Sequence, residues 1–480
     1  MQRTQRISIA LCLAIGFAAG LAGCSTLAPS YSRPAAPVPA TWQTGADAPE
    51  KAPGPGQQDA AAIAWRDFYL DPRLQKIIAL GLEHNRDLRV TALNVERTQA
   101  QYRIQWAELM PKINANGAAE YQRQSADFSN TGEAKDLHQY TVGLGVTSYE
   151  LDLFGRLRSL KDQALEQYLA SEQAQRSARI SLIAQIAAGY LTLAADRDLL
   201  QLAQETLKTQ QESYQLIQRR FEVGASSELD LRQAQTQVES ARVDVARFST
   251  LVAQDEDNLN LLVGARVPAE LLPAGLTDQV AALEGITPGL SSEVLLQRPD
   301  VLQAENLLKG YNANIGAARA AYFPRIVLIG TLGSGSNELS GLFTTGSGSW
   351  SFVPRIDLPI FDAGARAAQL QVAEIDRDIA VAQYEKAIQS AFREVADTLA
   401  QRGNVDQQLA AQLALRDATE RRYVLARERY YKGVDSHLNV LDAQRSLYSA
   451  QQGLVDVRLV RLTNLVSLYK ALGGGLKTGS

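Results

Sequence analysis

Leu200, Leu207, Tyr214 and Phe221 recur every seven residues, and beyond a glycine Leu231, Val238, Val245, Val252 and Leu259 keep the spacing. Farther on, Val440, Leu447, Leu454 and Leu468 hold the same register, with Arg461 as the one exception. Sustained heptads predict long helices packed on partner helices. Phe154 to Gly224 spans 70 steps (224 − 154) and Phe361 to Gly433 spans 72 (433 − 361), neither interrupted by proline. At ~1.5 Å per residue each leg is roughly 105 Å long. Gly224 and Gly433 are then hairpin turns, where a glycine C-cap is expected. Before each long leg the period falls to two. Val142, Leu144 and Val146 alternate with Thr141, Gly143, Gly145 and Thr147, while Ile326–Leu332 and Trp350–Ile360 flank a Gly/Ser/Thr-rich loop. This predicts strands with one apolar and one small or polar face. The pattern favours a strand between lipid and a wet lumen, but alternation alone does not exclude a soluble, half-buried hairpin.

The chain contains one unit twice. Asp87-Leu88-Arg89 matches Asp300-Val301-Leu302, and Met110-Pro111-Lys112-Ile113 matches Phe323-Pro324-Arg325-Ile326, both 213 positions apart (324 − 111). Arg220–Gly224 matches Arg429–Gly433 and Leu262-Val263-Gly264 matches Ala471-Leu472-Gly473, at a separation of 209 (433 − 224). That period far exceeds a solenoid repeat, so each copy is a whole set of elements. In both copies a helix runs into a proline, which stops it: Tyr102–Leu109 before Pro111 and Asn312–Tyr322 before Pro324.

The N-terminus changes the picture. Arg3 and Arg6 precede an apolar run from Ile7 to Phe17, which ends in Leu21-Ala22-Gly23-Cys24. This is an export signal, and its end resembles the lipobox of bacterial lipoproteins, which implies a lipid on Cys24. Ser25 in place of an aspartate implies sorting to the outer membrane. Cys12 would leave with the signal, so no thiol remains for a disulfide or metal. Ser30–Gln58 is rich in Pro, Ala and Gly, carries Tyr31, Arg33 and Trp42, and is predicted to be an extended tether rather than a packed element. No stretch after residue 24 is expected to supply the ~20 apolar residues of a spanning helix, so any further insertion must use strands.

The remaining chemistry mostly excludes. A net charge of −4 gives no basic surface for nucleic acid. His84, His138 and His437 lie far apart without metal-ligand spacing, and no nucleophile elbow or phosphate loop is present. An enzyme is not expected. Four strands cannot close a membrane barrel, because the smallest have about eight, and an open edge in lipid leaves backbone groups unpaired. Chains must pool their strands, and three would supply about twelve. The expected fold class is an α+β membrane protein: a long α-helical coiled-coil barrel plus a transmembrane β-barrel built by a trimer with four strands per chain.

Five motifs with the lipobox carry a resemblance: Gln297-Arg298-Pro299-Asp300-Val301, Ile315-Gly316-Ala317-Ala318-Arg319-Ala320, Leu151-Asp152-Leu153-Phe154-Gly155, Leu358-Pro359-Ile360-Phe361-Asp362-Ala363-Gly364 and Leu441-Asp442-Ala443-Gln444-Arg445. Together they make the chain similar to the TolC-like outer-membrane factors of tripartite efflux pumps, particularly the lipoprotein branch, from Cys24 to Gly475. The resemblance implies a homotrimer, an equatorial belt, a periplasmic adaptor at the helical tips and an inner-membrane transporter, with no cofactor beyond the lipid on Cys24. The expected organisation is a signal over 1–23, a tether over 24–64, a helix over 65–110, a β-hairpin over 111–151 and a helical hairpin over 152–264 with its tip near 224. An equatorial linker over 265–298 follows, then a helix over 299–322, a β-hairpin over 323–360, a helical hairpin over 361–470 with its tip near 433, and a tail over 471–480. Val223, Gly224, Gly433 and Val434 are the implied adaptor contacts. Asp230, Asp442, Tyr430 and Asn439 are candidates for a periplasmic aperture, with rings of aspartates narrowing the lumen. In the family's known lock a tyrosine and an arginine hold an aspartate; Tyr430 and Asp230 match, but Asp435 stands at the arginine position. Two rival readings share these features: a pore-less periplasmic scaffold and the duct of a type I protein-secretion system. A cell-wall hydrolase fits poorly.

Overall fold

The computed structural model describes residues 26–42, 63–129, 131–277 and 291–475. Its elements are helices α1 (Trp65–Phe68), α2 (Pro72–His84) and α3 (Arg86–Ala107), strands β1 (Ile113–Gln124) and β2 (Lys135–Leu151), helices α4 (Arg156–Glu222), α5 (Glu228–Val263) and α6 (Pro299–Ala320), strands β3 (Arg325–Ser336) and β4 (Gly348–Asp357), and helices α7 (Ala365–Tyr431) and α8 (His437–Ala471). α4 and α7 are 67 residues each, so the two copies have long legs of equal length. The signal, Cys24 and residues 278–290 of the expected belt lie outside the described residues.

The chain divides into two compact units. One comprises Met1–Ala35, Asn94–Ser171 and Gln303–Tyr384 and holds the sheet, an antiparallel four-stranded array in the order β1-β2-β3-β4. Its N-terminal segment is not a free tether. Tyr31 donates to Glu305 at 3.1 Å, Arg33 makes a fork to the same carboxylate at 3.0 and 2.8 Å, and Lys309 bridges it at 3.2 Å. Glu305 is buried, and burial of so charged a group requires such partners. Residues 26–28 lie so close to Gly155 and Gly316 that a Cβ on either would meet Thr26 or Ala28 within 3 Å. Both motif glycines therefore make room for the N-terminal segment.

The second unit comprises Ala36–Leu93, Glu172–Leu302 and Glu385–Ser480. Its core gathers Trp65, Phe68, Leu74, Ile77 and Ile78 against Ile183, Ile186 and Leu191 of α4, Leu259 and Val263 of α5, and Leu462, Val466 and Tyr469 of α8. Trp42 stacks on Phe392 at 5.1 Å and donates to its carbonyl, a second departure from the expected tether. α4 contains an 18-residue stretch of mean hydropathy 1.4, more apolar than expected after Cys24. That stretch is 61% buried in the protein, so packing accounts for it.

The helix expected over 65–110 is three helices. Asp71 caps α2, accepting from the Arg73 amide at 2.8 Å, with Pro72 pre-set at the first helical position. Asn85 then ends α2 and restarts the chain as α3: its Oδ1 accepts from the Leu88 amide at 2.7 Å and its Nδ2 donates to the Leu262 carbonyl at 2.7 Å. In α4 the residues buried at seven-residue spacing are Ala203, Gln210 and Ile217, beside the predicted seam rather than on it. In α5 Val238 and Leu259 are buried as the spacing suggests, and in α8 Val440 and Leu468.

Candidate functional site

Two places carry chemistry that a packed core does not require: the sheet and the helical turns. Residues opposite one another across strands share a face. The register Ile113↔Val146, Val146↔Gly330 and Gly330↔Phe352 therefore sets the apolar face, which also holds Leu144, Leu332 and Trp350. Leu332 is 69% exposed and Trp350 77% exposed. Tyr121 and Tyr140, joined through their hydroxyls at 3.0 Å, lie on the same face. The opposite face carries Asn114, Asn116, Gly143, Gly145, Thr331, Gly333, Ser349 and Ser351. A sheet that exposes its apolar, aromatic side in this way fits lipid on one face and water on the other. The sheet also ends in two edge strands, β1 and β4. β1 was legible only as half of a hairpin, because Ala115, Gly117 and Ala119 give its apolar face little contrast.

The turns are built alike. Gly224 and Gly433 have φ of +73° and +72°, which glycine adopts without strain. Ser227 caps α5 in a reciprocal box with Asp230, which holds that carboxyl below its usual range. Val223 and Val434 are exposed beside the turns. Tyr430 accepts from Arg220 at 2.8 Å, so its hydroxyl is engaged by an arginine of the first turn rather than by Asp230. Asp435, at the position where the family lock has an arginine, itself pairs with Arg429 at 2.6 Å. Asp442 pairs with Arg422 at 2.6 Å and Arg445 at 3.4 Å, and Asn439 is exposed. His437, absent from the sequence-based set, is buried with its ring 5.1 Å from that of Tyr430; desolvation lowers its pKa. Arg220 and His437 are the two residues at the turns that sequence reasoning missed.

Asp255 of α5 faces Asp196 of α4, with Asp456 of α8 close enough to feel the same charge. Burial and then the neighbouring Asp196 push the Asp255 carboxyl up to about 7. Its Oδ2 is buried without a donor, which a shared proton would supply. The folded state thus holds this proton more tightly than the unfolded chain, so stability falls as pH rises from the ordinary carboxylate value to about 7. Asp255→Asn is expected to raise the unfolding temperature at pH 8 and flatten its pH dependence across that window. Thermal unfolding at pH 5 and pH 8 reads this directly, and an unchanged slope would contradict it.

The outer membrane efflux protein family matches residues 77–265 and 290–474, two stretches that coincide with the two copies. The chain belongs to the outer membrane efflux protein family. It is an outer-membrane efflux channel protein, not an enzyme. The antibiotic efflux pump outer membrane protein ArpC and the toluene efflux pump outer membrane protein TtgC, both of Pseudomonas putida, are each 51% identical over 458 residues, covering 95% of this chain and 93% of the relative. The open-state crystal structure of the Neisseria gonorrhoeae MtrE outer membrane channel superposes with a TM-score of 0.84 at 40% identity, covering 94% of this chain and 99% of that one. Among outer membrane efflux proteins the fold is thus a shared one.

Proposed function

We propose that this outer membrane efflux protein works as a lipid-anchored homotrimer, the exit channel of a tripartite pump that expels small molecules. The open four-stranded sheet with an exposed apolar face carries the reading. Alone, it would leave two strand edges unpaired in lipid, each unpaired group costing several kcal/mol. Three copies give twelve strands, a workable transmembrane barrel. Cys24 stands two residues before Thr26 and is the residue we assign to the lipid. A lipid there adds to the barrel's hold on the membrane.

The exposed valines Val223 and Val434, with Gly224 and Gly433, form the surface for a periplasmic adaptor, and an inner-membrane transporter supplies the energy. Asp230, Asp442, Tyr430 and Asn439 line the aperture, where Asp442 is partly neutralised by Arg422. Antibiotics and toluene, in the names of two relatives, are the kind of cargo we assign to this chain. The test is accumulation of a fluorescent antibiotic in cells lacking the chain and in cells with it restored. Restoration should lower accumulation. Equal accumulation, with export of a secreted protein lost instead, would move the reading to type I secretion.

A further inference from the structure

The two copies of the repeat close their helical hairpins on the same joint but furnish it differently. In the second copy Arg298, just ahead of α6, ties α6, α7 and the end of α8 together. It donates to Asp300 at 3.0 and 2.7 Å, to Glu394 at 2.8 Å and to the Ala471 carbonyl at 2.6 Å. The first copy has the equivalent joint between α3, α4 and the end of α5. Asp87 stands for Asp300 at the repeat spacing of 213 (300 − 87), and Leu262 for Ala471 at the spacing of 209 (471 − 262). The charged pair does not recur. Asn85 stands where the second copy has Arg298 (298 − 213), and Gln185 where it has Glu394 (394 − 209).

Asn85 reproduces one contact of the arginine: its Nδ2 donates to the Leu262 carbonyl at 2.7 Å. Beside it lies an open cleft of about 800 Å³, lined by Asn85, Asp87 and Gln185 and by the apolar Leu88, Leu182 and Leu261. Small-molecule sites span about 300–1,000 Å³ and combine apolar walls with a few polar groups, as here. Among the described residues neither Asp87 nor Gln185 has a side-chain hydrogen bond or ion pair. Arg86, next to Asp87 in the chain, donates instead to the His84 carbonyl at 3.2 Å. Leu261 is 77% exposed, so apolar surface is offered at the same place. The first copy thus keeps one carboxylate of the joint and lacks its guanidinium, and a single positive charge would balance it.

We propose that this cleft binds small molecules that carry a planar amidinium or guanidinium group on an apolar body. The cation takes the place that the Arg298 guanidinium holds in the second copy, forked on the Asp87 carboxylate. Gln185 accepts from it through the side-chain carbonyl, as Glu394 accepts from Arg298. The apolar body lies along Leu88 and Leu261. A planar fork suits this acceptor set better than an ammonium, which is a point charge. The second copy supplies its guanidinium covalently, whereas the first takes one from solution.

Benzamidine, a planar amidinium on a phenyl ring, is the probe, and benzamide is its neutral counterpart. Titrated into the full-length protein in detergent, benzamidine should bind saturably and raise the unfolding temperature, while benzamide should do neither. Asp87→Asn should weaken benzamidine binding by about tenfold or more, the worth of a hydrogen bond to a charged group. Gln185→Arg places a guanidinium beside Asp87 from within the chain and should abolish the response to benzamidine. That variant leaves Asn85 in place, whose Oδ1 accepts from the Leu88 amide at the start of α3. Equal binding by the Asp87→Asn and unmodified proteins, or benzamide binding as tightly as benzamidine, would overturn the site. So would an unmodified protein that binds no benzamidine, or that binds it only after the oligomer is dissociated, since another copy would then cover the cleft. None of these readouts involves transport, so each failure leaves the channel reading standing.

Discussion

Phe68→Ala is expected to lower the unfolding free energy by about 3–5 kcal/mol, the range for emptying a buried aromatic site. Phe68 is fully buried and lies flat on Tyr469, with ring centroids 3.8 Å apart and planes 5° from parallel. Tyr69 meets its edge at 4.8 Å. The short helix α1 has four residues and no capping side chain, so this contact is what holds it to α8. Tyr469 is itself fixed by donating to the Ile63 carbonyl at 2.7 Å. Tyr469→Phe keeps the stack and removes only the hydroxyl's hydrogen bonding, with an expected loss of about 1 kcal/mol per bond. Denaturant unfolding of the two variants in detergent decides between packing and hydrogen bonding. A larger loss for Tyr469→Phe than for Phe68→Ala would refute the packing account.

Arg298→Ala is the second large effect. The side chain is 7% exposed, and it donates to the Ala471 carbonyl at 2.6 Å, to Asp300 at 3.0 and 2.7 Å and to Glu394 at 2.8 Å. Removing it leaves a helix-end carbonyl without its donor and two carboxylates facing one another. Breaking a buried pair costs about 3–5 kcal/mol, and the lower end applies here because water reaches both carboxylates. Arg298→Lys should rescue little, since an ammonium is a point charge and cannot reproduce the planar fork that three partners share. Protease cleavage of the chain after Ala471 should accelerate in both variants. Full protection in the lysine variant would show that charge alone suffices.

The sequence exposed what is periodic and little of what is aperiodic. Heptads marked the long helices, and the tandem matches marked the four-strand plan, because both follow from local spacing. The turns at Gly224 and Gly433 were legible for the same reason: a positive φ requires a residue type that stands out. Asp71-Pro72 and Asn85 carry ordinary capping signals, but they sit inside an apolar run that favoured one continuous helix. Docking of the N-terminal segment was illegible, since Arg33 and Glu305 are 272 residues apart and only the fold pairs them. The opposition of Asp196 and Asp255 likewise depends on the rotational phase of two helices, which spacing within one helix does not reveal. At the turns, the capping role of Asp230 was present in Ser227-x-x-Asp230, while the Arg220–Tyr430 contact crosses from one copy to the other.

Single-channel current recorded in planar bilayers from size-separated detergent fractions examines the proposal that copies complete each other's wall. Discrete current steps from the three-copy fraction, with silence from the one-copy fraction, are the predicted result. Steps of equal size from a stable single chain would contradict it, because one sheet would then be enclosing a pore by itself.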